Sequence, residues 1–383
     1  MTLFKNPVVQ AVAIVFGTIV GAGVLGVPFA IAQVGLLTGA LIVLVVGVAL
    51  AFLMLFLGEV ALQRNRPQQL TGYTAEFVGP KAKHVLAVAL IINIYGALLA
   101  YVVGQGEVLS ALFGGASAVW SALFLVVGGI FIVLGINAIK YVETLLTALI
   151  LSIFAAVIFL SAPEIDASNL LAGAPTFGGV LTAYGVALTA CFGLTAVPQV
   201  RNILFTSTPH TLRRALLWGA LLPPLLYVVF AAVVLGVTGE ATTPVATIGL
   251  GEQLGGSVLI LGSVFAIAAM ATSFLALGLA LRNVFYRDYN IPLAGASALT
   301  LGIPAVLFGF GLRDFILILS MVGVFALGLV GVMGVLTYWK ARSRKREATA
   351  RLVPHWLGTS AGLVMVLMFF VSMIIVVQDW LVG

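Results

Sequence analysis

The apolar positions of this chain fall into long blocks, and polar residues gather in the short stretches between them. Each block holds about 20 or more residues, the length at which an α-helix crosses the ~30 Å hydrocarbon core of a bilayer. The pattern therefore predicts eleven transmembrane helices, which we number as spans one to eleven. They cover residues 8–33, 36–62, 84–112, 118–137, 141–161, 177–203, 214–238, 255–281, 293–311, 315–339 and 355–379.

Composition excludes the main alternative to a membrane bundle. Of the 383 residues, 62% are hydrophobic and only 8% are charged, and the mean hydropathy is +1.23. A soluble protein must cover much of its surface with polar side chains, so this composition excludes one. Most of the 43 glycines lie within the apolar blocks, as expected where helices pack closely in lipid. We predict an all-α polytopic membrane protein that forms a single transmembrane domain over residues 1–383.

The positive charges predict how the chain is oriented. If the N-terminus is cytoplasmic, Arg313 is the only one of the 18 Lys and Arg residues that falls outside. Because Lys and Arg accumulate in cytoplasmic loops, we expect the N-terminus inside and the C-terminus outside, in a cytoplasmic (inner) membrane. Topology thus accounts for the net charge of +6, and no nucleic-acid partner is expected.

An internal repeat links spans one and six. Residues 23–28 read GVLGVP and residues 193–198 read GLTAVP, so both follow the pattern Gly-x-x-small-Val-Pro, 170 positions apart. The same offset carries spans three, four and five onto spans eight, nine and ten, and the two sets enter the membrane from opposite sides. We therefore expect two inverted five-helix repeats, at 8–161 and 177–339, with residues 355–379 forming an additional helix.

Glycine and proline should interrupt both of these spans. Pro lacks an N–H and clashes with the preceding turn, and clustered Gly weakens a helix. Unwound backbone is tolerated at membrane depth only where it is buried in protein or lines a cavity. Paired interruptions in two repeats indicate the substrate site of a transporter, where exposed N–H groups suit a carboxylate and free carbonyls suit an ammonium or Na⁺. The alternative is that they are packing glycines and ordinary kinks.

The first span also resembles a known family. Residues 17–28 (GTIVGAGVLGVP) and 30–35 (AIAQVG) resemble the first helix of the amino acid/auxin permeases, and residues 100–106 (AYVVGQG) resemble the third. That family includes bacterial aromatic amino acid and serine permeases and belongs to the amino acid–polyamine–organocation superfamily. The resemblance implies a leucine-transporter-like fold with broken helices one and six, alternating access, and an amino acid driven by Na⁺ or H⁺.

The resemblance also implies a substrate site at the two interruptions. The carboxylate would meet the backbone near Gly21 to Gly23, and the ammonium would meet carbonyls near Thr18 and around Ala190 to Gly193. Polar side chains of spans three and six would add pocket polarity. The expected substrate-site residues are Thr18, Gly21, Ala22, Gly23, Val24, Asn93, Tyr101, Ala190, Cys191, Phe192, Gly193 and Thr195.

Sodium-coupled members of this fold imply a place for the coupling ion. Ala269, Thr272 and Ser273 of span eight fall where those transporters place a carbonyl and two hydroxyls on Na⁺, and Val20 and Gly23 of span one complete the set. Alternatively, the two hydroxyls bond the carbonyls of their own helix. Coupling to Na⁺ or to H⁺ therefore stays open, and no other cofactor is expected.

Glu59, late in span two, is an ionisable group inside a predicted span and hence a functional candidate. Similar transporters use a Glu here to brace the unwound part of span six. Protonation for coupling, or simple solvation near the inner interface, are the alternatives.

The sequence therefore predicts a secondary active symporter of amino acids. The surroundings of the interruptions are Gly, Ala and Val, which favours neutral, hydrophobic or aromatic substrates. An enzyme is not expected, because the chain has no HExxH, Gly-x-Ser-x-Gly or P-loop motif. Two rivals are an amino acid sensor without net flux and a transporter of the same fold for another small solute. Besides the amino acid, the expected partner is the lipid bilayer.

Overall fold

The computed structural model describes residues 6–21, 23–64, 68–135, 152–171, 173–344 and 351–382. Every regular element in these ranges is helical. We label the α-helices in chain order: α1 Pro7–Ile19, α2 Gly23–Ala32, α3 Leu36–Leu62, α4 Leu70–Phe77, α5 Pro80–Phe113, α6 Ser117–Leu134, α7 Ser152–Glu164, α8 Phe177–Ala190, α9 Val197–Ile203, α10 Pro209–Thr238, α11 Ala246–Leu254, α12 Gly256–Asn283, α13 Leu293–Gly309, α14 Phe315–Met321, α15 Gly328–Ser343 and α16 His355–Val382.

These helices form a multi-pass membrane protein. Within the described ranges, eight helical segments are long and apolar enough to cross a bilayer, and the bent pair α1–α2 makes a ninth. The shorter apolar helices α7 and α13 lie at predicted spans five and nine, although most of predicted span five falls outside the described residues. The count of eleven spans stays a prediction.

Local sequence explains where several helices begin. Asn6, Thr208 and Asp314 each accept a hydrogen bond from a backbone N–H in the following first turn, which caps α1, α10 and α14. Proline at the first position of α5 and α10 starts these helices four and five residues before the predicted spans, at Pro80 and Pro209. The proline ring fixes a helical φ where no N–H is needed, so the polar first turn joins the helix.

A short helix and a π-helical stretch are among the elements that the sequence did not predict. The short helix α11 follows span seven, and a π-helical stretch, Val322–Leu327, joins α14 to α15 inside span ten. The π-helical stretch lies where span ten approaches α8 closely. A Cβ atom on Gly323 would collide there with the carbonyl of Gly185 in α8. Here α8 and span ten pack almost backbone to backbone, as glycine allows in membrane helices.

Candidate functional site

Both predicted interruptions are present as gaps in helical structure. Helix α1 ends at Ile19, α2 begins at Gly23, and their axes differ by 58°. Helix α8 ends at Ala190, a single 3₁₀ turn spans Leu194–Ala196, and α9 begins at Val197. Each gap leaves carbonyls at the end of one helix, and N–H groups at the start of the next, without their usual partners in the helix.

The two gaps lie directly against each other. A Cβ atom on Gly23 would lie 2.7 Å from the Cα atom of Ala190, closer than any real side chain approaches backbone. A Cβ atom on Gly193 would likewise collide with the side chain of Ile19. Glycine at both positions therefore lets the start of α2 touch the end of α8, and the end of α1 touch the second gap.

A tyrosine that the sequence analysis missed ties the two gaps together. The hydroxyl of Tyr227, in α10, lies 2.9 Å from the carbonyl oxygen of Ile19 and 3.2 Å from that of Ala190. Its side chain is fully buried. Tyr227 is the only hydroxyl side chain between Thr211 and Thr238. A lone hydroxyl in an apolar span is the signal that could have identified it.

Spans three and eight supply two of the predicted residues to the first gap. A Cβ atom on Gly21 would lie 3.6 Å from the Oγ atom of Ser273, so α12 faces the gap through this hydroxyl. The Tyr101 side chain of α5 interacts with Ser273 and lies within electrostatic range of Tyr227. The gap is thus surrounded by hydroxyls from spans three, seven and eight.

The other predicted ion ligands divide between two environments. Thr272 donates to the carbonyls of its own helix, at 2.8 Å from Ala268 and 3.2 Å from Ala269. This is the alternative in which a hydroxyl serves its own backbone. Ala269 is buried, whereas Val20 is half-buried beside the gap. In this arrangement Ser273, rather than Thr272, has its hydroxyl beside span one.

The remaining predicted substrate-site residues differ in how deeply they are buried. Val24 and Cys191 are buried beside the gaps, and Cys191 lies within electrostatic range of Tyr227. Phe192 is half-buried.

Three further polar residues of the predicted site have no described contact with Tyr101, Tyr227 or Ser273. Thr195 is exposed, and Thr18 is exposed with its hydroxyl bonded to the carbonyl of Ile14 at 2.7 Å. Asn93 is half-buried two turns before Tyr101, and no described contact joins it to either gap. Ala22 lies outside the described residues.

Glu59 holds the segment that precedes α16 in this structure, and its predicted bracing of span six stays a prediction. Its carboxylate is fully buried and accepts hydrogen bonds from the backbone N–H groups of Leu352 (3.0 Å) and Val353 (3.3 Å). Arg342 lies 3.8 Å from the other carboxylate oxygen. These contacts hold the segment between α15 and α16 against α3. The burial excludes the expectation that Glu59 is merely solvated.

Comparison with known proteins agrees with this architecture. The sequence model of the tryptophan/tyrosine permease family matches residues 5–378. Tyrosine-specific transport system 1 of Haemophilus influenzae is 28% identical over 388 aligned residues, which cover 94% of each protein. Glutamine transporter 2 of Aliivibrio fischeri is 23% identical, and the alignment covers 70% of this chain and 72% of that protein.

A solved structure shares the fold at low sequence identity. The inward-facing conformation of Mhp1 superimposes with a TM-score of 0.66 at 12% identity, covering 97% of this chain and 91% of that one. The match confirms the predicted leucine-transporter-like fold class. The family match confirms the resemblance to bacterial aromatic amino acid permeases and the expectation that the chain is a transporter and not an enzyme.

Proposed function

Because the chain belongs to the tryptophan/tyrosine permease family, we propose that it is an ion-coupled importer of aromatic amino acids. The observation that carries this proposal is the pair of apposed helix gaps bridged by Tyr227. Interrupted helices at matching places in two halves of a membrane protein are typical of a transporter's central binding site. Alternating access around this centre would move the substrate across the membrane.

The polarity of the gaps suits the two charges of an amino acid. The N–H groups at the start of α2, from Gly23 onward, lie at the positive end of a helix and would receive the carboxylate. The carbonyls of Ile19 and Ala190 are the candidate acceptors for the ammonium. The single proton of the Tyr227 hydroxyl can satisfy only one of these two carbonyls fully at a time. The Ile19 carbonyl also accepts from the backbone N–H of Gly21 at 3.0 Å, so the Ala190 carbonyl would be the one offered to the ammonium, and the Tyr227 hydroxyl would then bond Ile19.

The aromatic character of the substrate rests on two supports. The Haemophilus influenzae relative, which aligns with nearly the whole chain, is named as tyrosine-specific. Around the gaps, the side chains are apolar or carry neutral hydroxyls, as in Val24, Tyr101 and Tyr227, which suits a side chain without net charge. The Aliivibrio fischeri relative is named as a glutamine transporter, so a neutral polar amino acid is the second candidate substrate.

The coupling ion is proposed to be Na⁺, bound between Ser273 and the first gap. A hydroxyl and backbone carbonyls are the hard oxygen ligands that such an ion prefers, and Ser273 lies beside Gly21. Because the Thr272 hydroxyl already donates to a carbonyl of its own helix, H⁺ stays the alternative coupling ion. In the same scheme, residues 8–161 and 177–339 are the inverted repeats and residues 355–379 are an additional helix.

The proposed orientation places the N-terminus in the cytoplasm, since Arg313 is then the sole outer basic residue. The outer mouth then holds Arg313 and Asp314, while the inner face holds Glu59, Arg342 and the pair Arg64–Glu76.

The decisive experiment is uptake into proteoliposomes containing the purified chain. Labelled tyrosine, tryptophan, glutamine, glutamate and lysine are each offered with an imposed Na⁺ gradient, an imposed pH gradient, or neither. We expect tyrosine or tryptophan to accumulate under the Na⁺ gradient. Accumulation only under the pH gradient would replace Na⁺ by H⁺, and accumulation of glutamine alone would favour the second candidate.

A thermal unfolding assay on the same preparation separates transport from sensing. An amino acid that stabilises the protein against heat, yet never accumulates, would favour the sensor. If no amino acid is taken up and none stabilises the protein, the proposed function is wrong.

A further inference from the structure

A second polar site lies at the mouth of the protein opposite to Glu59. A cavity of about 410 Å³ is lined there by the last residues of span one, the late turns of α5, the second turn of α8, the segment before α11 and the start of α14. The α14–α15 span begins at this cavity and ends beside Glu59, and its 29 residues correspond to roughly 40 Å of helix. The cavity and Glu59 therefore lie at opposite faces of the membrane.

The charges in this cavity are of both signs. Glu107 of α5 is half-buried, and its carboxylate lies within electrostatic range of Asp314. Asp314 caps α14 through one oxygen, which accepts from the N–H of Leu317 at 2.8 Å. Among the described residues, Glu107 has neither a hydrogen bond nor an ion pair, so two neighbouring carboxylates lack a counter-charge between them.

Arg313 presents the opposite charge at the same mouth. Its Nε donates to the carbonyl of Phe308 at 3.3 Å, and its guanidinium stacks over the Phe308 ring, 4.7 Å from the ring centroid. Within the part of the chain that the structure describes, its two terminal nitrogens bond no acceptor. The guanidinium is thus held in place by Phe308 while its fork remains available to a carboxylate.

Apolar walls complete the cavity and separate it from the helix gaps. Phe29 and Phe315 line it, and Phe315 is almost fully buried. Atoms of the Phe315 ring would lie 3.3 Å from a Cβ on Gly26 and 3.1 Å from one on Gly104. The ring therefore fills the space between α2 and α5 below the cavity. A volume of about 410 Å³ falls in the ~300–1,000 Å³ range of small-molecule sites.

We propose that this cavity, which we call the outer site, binds the amino acid substrate before it reaches the helix gaps. The ammonium lies between Glu107 and Asp314, the carboxylate on Arg313, and the side chain against Phe29 and Phe315. A zwitterion satisfies both charge signs at once. A charged substrate side chain would lie against the apolar walls formed by Phe29 and Phe315, so the outer site also selects for net neutral amino acids. This inference rests on the proposed function.

The test compares uptake from the two faces of the membrane. Initial rates of tyrosine uptake are measured in right-side-out and in everted vesicles from cells that express the full chain. The variants are Glu107→Gln and Arg313→Gln. Glu240→Gln is the matched control, since Glu240 is an exposed acid that precedes α11 and does not line the cavity.

We expect both cavity variants to raise the KM for uptake from the outer face by about tenfold, as the loss of a charged contact predicts. The kcat should stay within about twofold, because the central gaps are untouched. In everted vesicles neither parameter should change, and Glu240→Gln should match the unsubstituted chain from both faces.

An unchanged outer KM in both variants, with normal uptake by the unsubstituted chain, overturns the outer site and leaves the proposed function standing. A fall in kcat from both faces also overturns it, since that result is a structural defect. Absence of uptake by the unsubstituted chain removes the proposed function and this inference together.

Discussion

The two helix gaps share a sequence pattern but not a local structure. In span one, Gly23 is the first residue of α2, and Pro28 is the sixth residue of that helix. In span six, Gly193 lies inside the unwound stretch, and Pro198 is only the second residue of α9. The pattern Gly-x-x-small-Val-Pro therefore follows the first gap and overlaps the end of the second.

This difference shows what a helix-breaking motif specifies. Pro198 needs no hydrogen-bond partner for its nitrogen, because it lies in the first turn of α9. Pro28 lies deeper in α2 and leaves a carbonyl of the preceding turn without its usual N–H, yet the helix continues. The motif therefore indicates that the helix of a span can unwind. Packing against neighbouring helices determines which helical hydrogen bonds are lost. Substitutions at each gap can test this distinction.

The largest effect is expected at Gly23. The Gly23→Ala substitution places a Cβ 2.7 Å from the backbone of Ala190, so α2 and α8 must separate. A displacement of about 1 Å at a binding centre can cost on the order of a hundredfold in rate, and we expect tyrosine uptake to fall by at least that much. Gly21→Ala is the matched control, since its Cβ meets Ser273 at an ordinary 3.6 Å. Equal loss of uptake in both variants would contradict the expectation that a side chain is excluded at Gly23 and accommodated at Gly21.

A smaller loss is expected at Gly193, because its obstacle is the side chain of Ile19 and not backbone. We expect Gly193→Val to lower kcat/KM for tyrosine by about tenfold, as overpacking by ~1–3 kcal/mol predicts. The second substitution Ile19→Ala should restore much of the activity, because it removes the colliding atoms. Additive losses in the double variant would show that the two residues are not coupled.

Tyr227→Phe removes the hydroxyl shared by both gaps and keeps the ring. Hydrogen bonds between membrane helices contribute about 0.6 to 2 kcal/mol, so the midpoint of thermal unfolding in detergent should fall slightly. Because the same hydroxyl orients both carbonyls, kcat/KM should fall by about fivefold, which corresponds to ~1 kcal/mol. Tyr184→Phe, in α8, is a control hydroxyl that bonds the carbonyl of Met368 and not the gaps. Equal effects of both substitutions on kcat/KM would show that Tyr227 has no specific role in substrate binding.

The smallest effect concerns the two adjacent hydroxyls of α12. Ser273→Ala should raise the Na⁺ concentration for half-maximal uptake by about threefold, since one neutral oxygen ligand is lost. Thr272→Val should change it less, because that hydroxyl already bonds Ala268 and Ala269. If Na⁺ dependence is the same in both variants, Ser273 is not an ion ligand.

Much of the fold could be predicted from local features of the sequence. Block length and hydropathy predict the spans, because crossing a bilayer requires about 20 apolar residues. Glycine and proline predict the two gaps, since they weaken a helix whatever surrounds it. The motif of residues 17–28 predicts the family. Each of these properties depends only on residues that are neighbours in the sequence. It can therefore be recognised without knowing how the helices pack.

The composition of the centre depends on the tertiary structure instead. Successive residues of a helix point about 100° apart, so the rotation of α12 decides that Ser273 and not Thr272 faces Gly21. Tyr227 reaches Ile19 across 208 positions of the chain, and Glu59 reaches Leu352 across 293. Such contacts follow from how whole helices pack. The sequence by itself therefore determined which segments are long and apolar enough to cross a membrane and where two of them break, and the packing decided which side chains meet at the breaks.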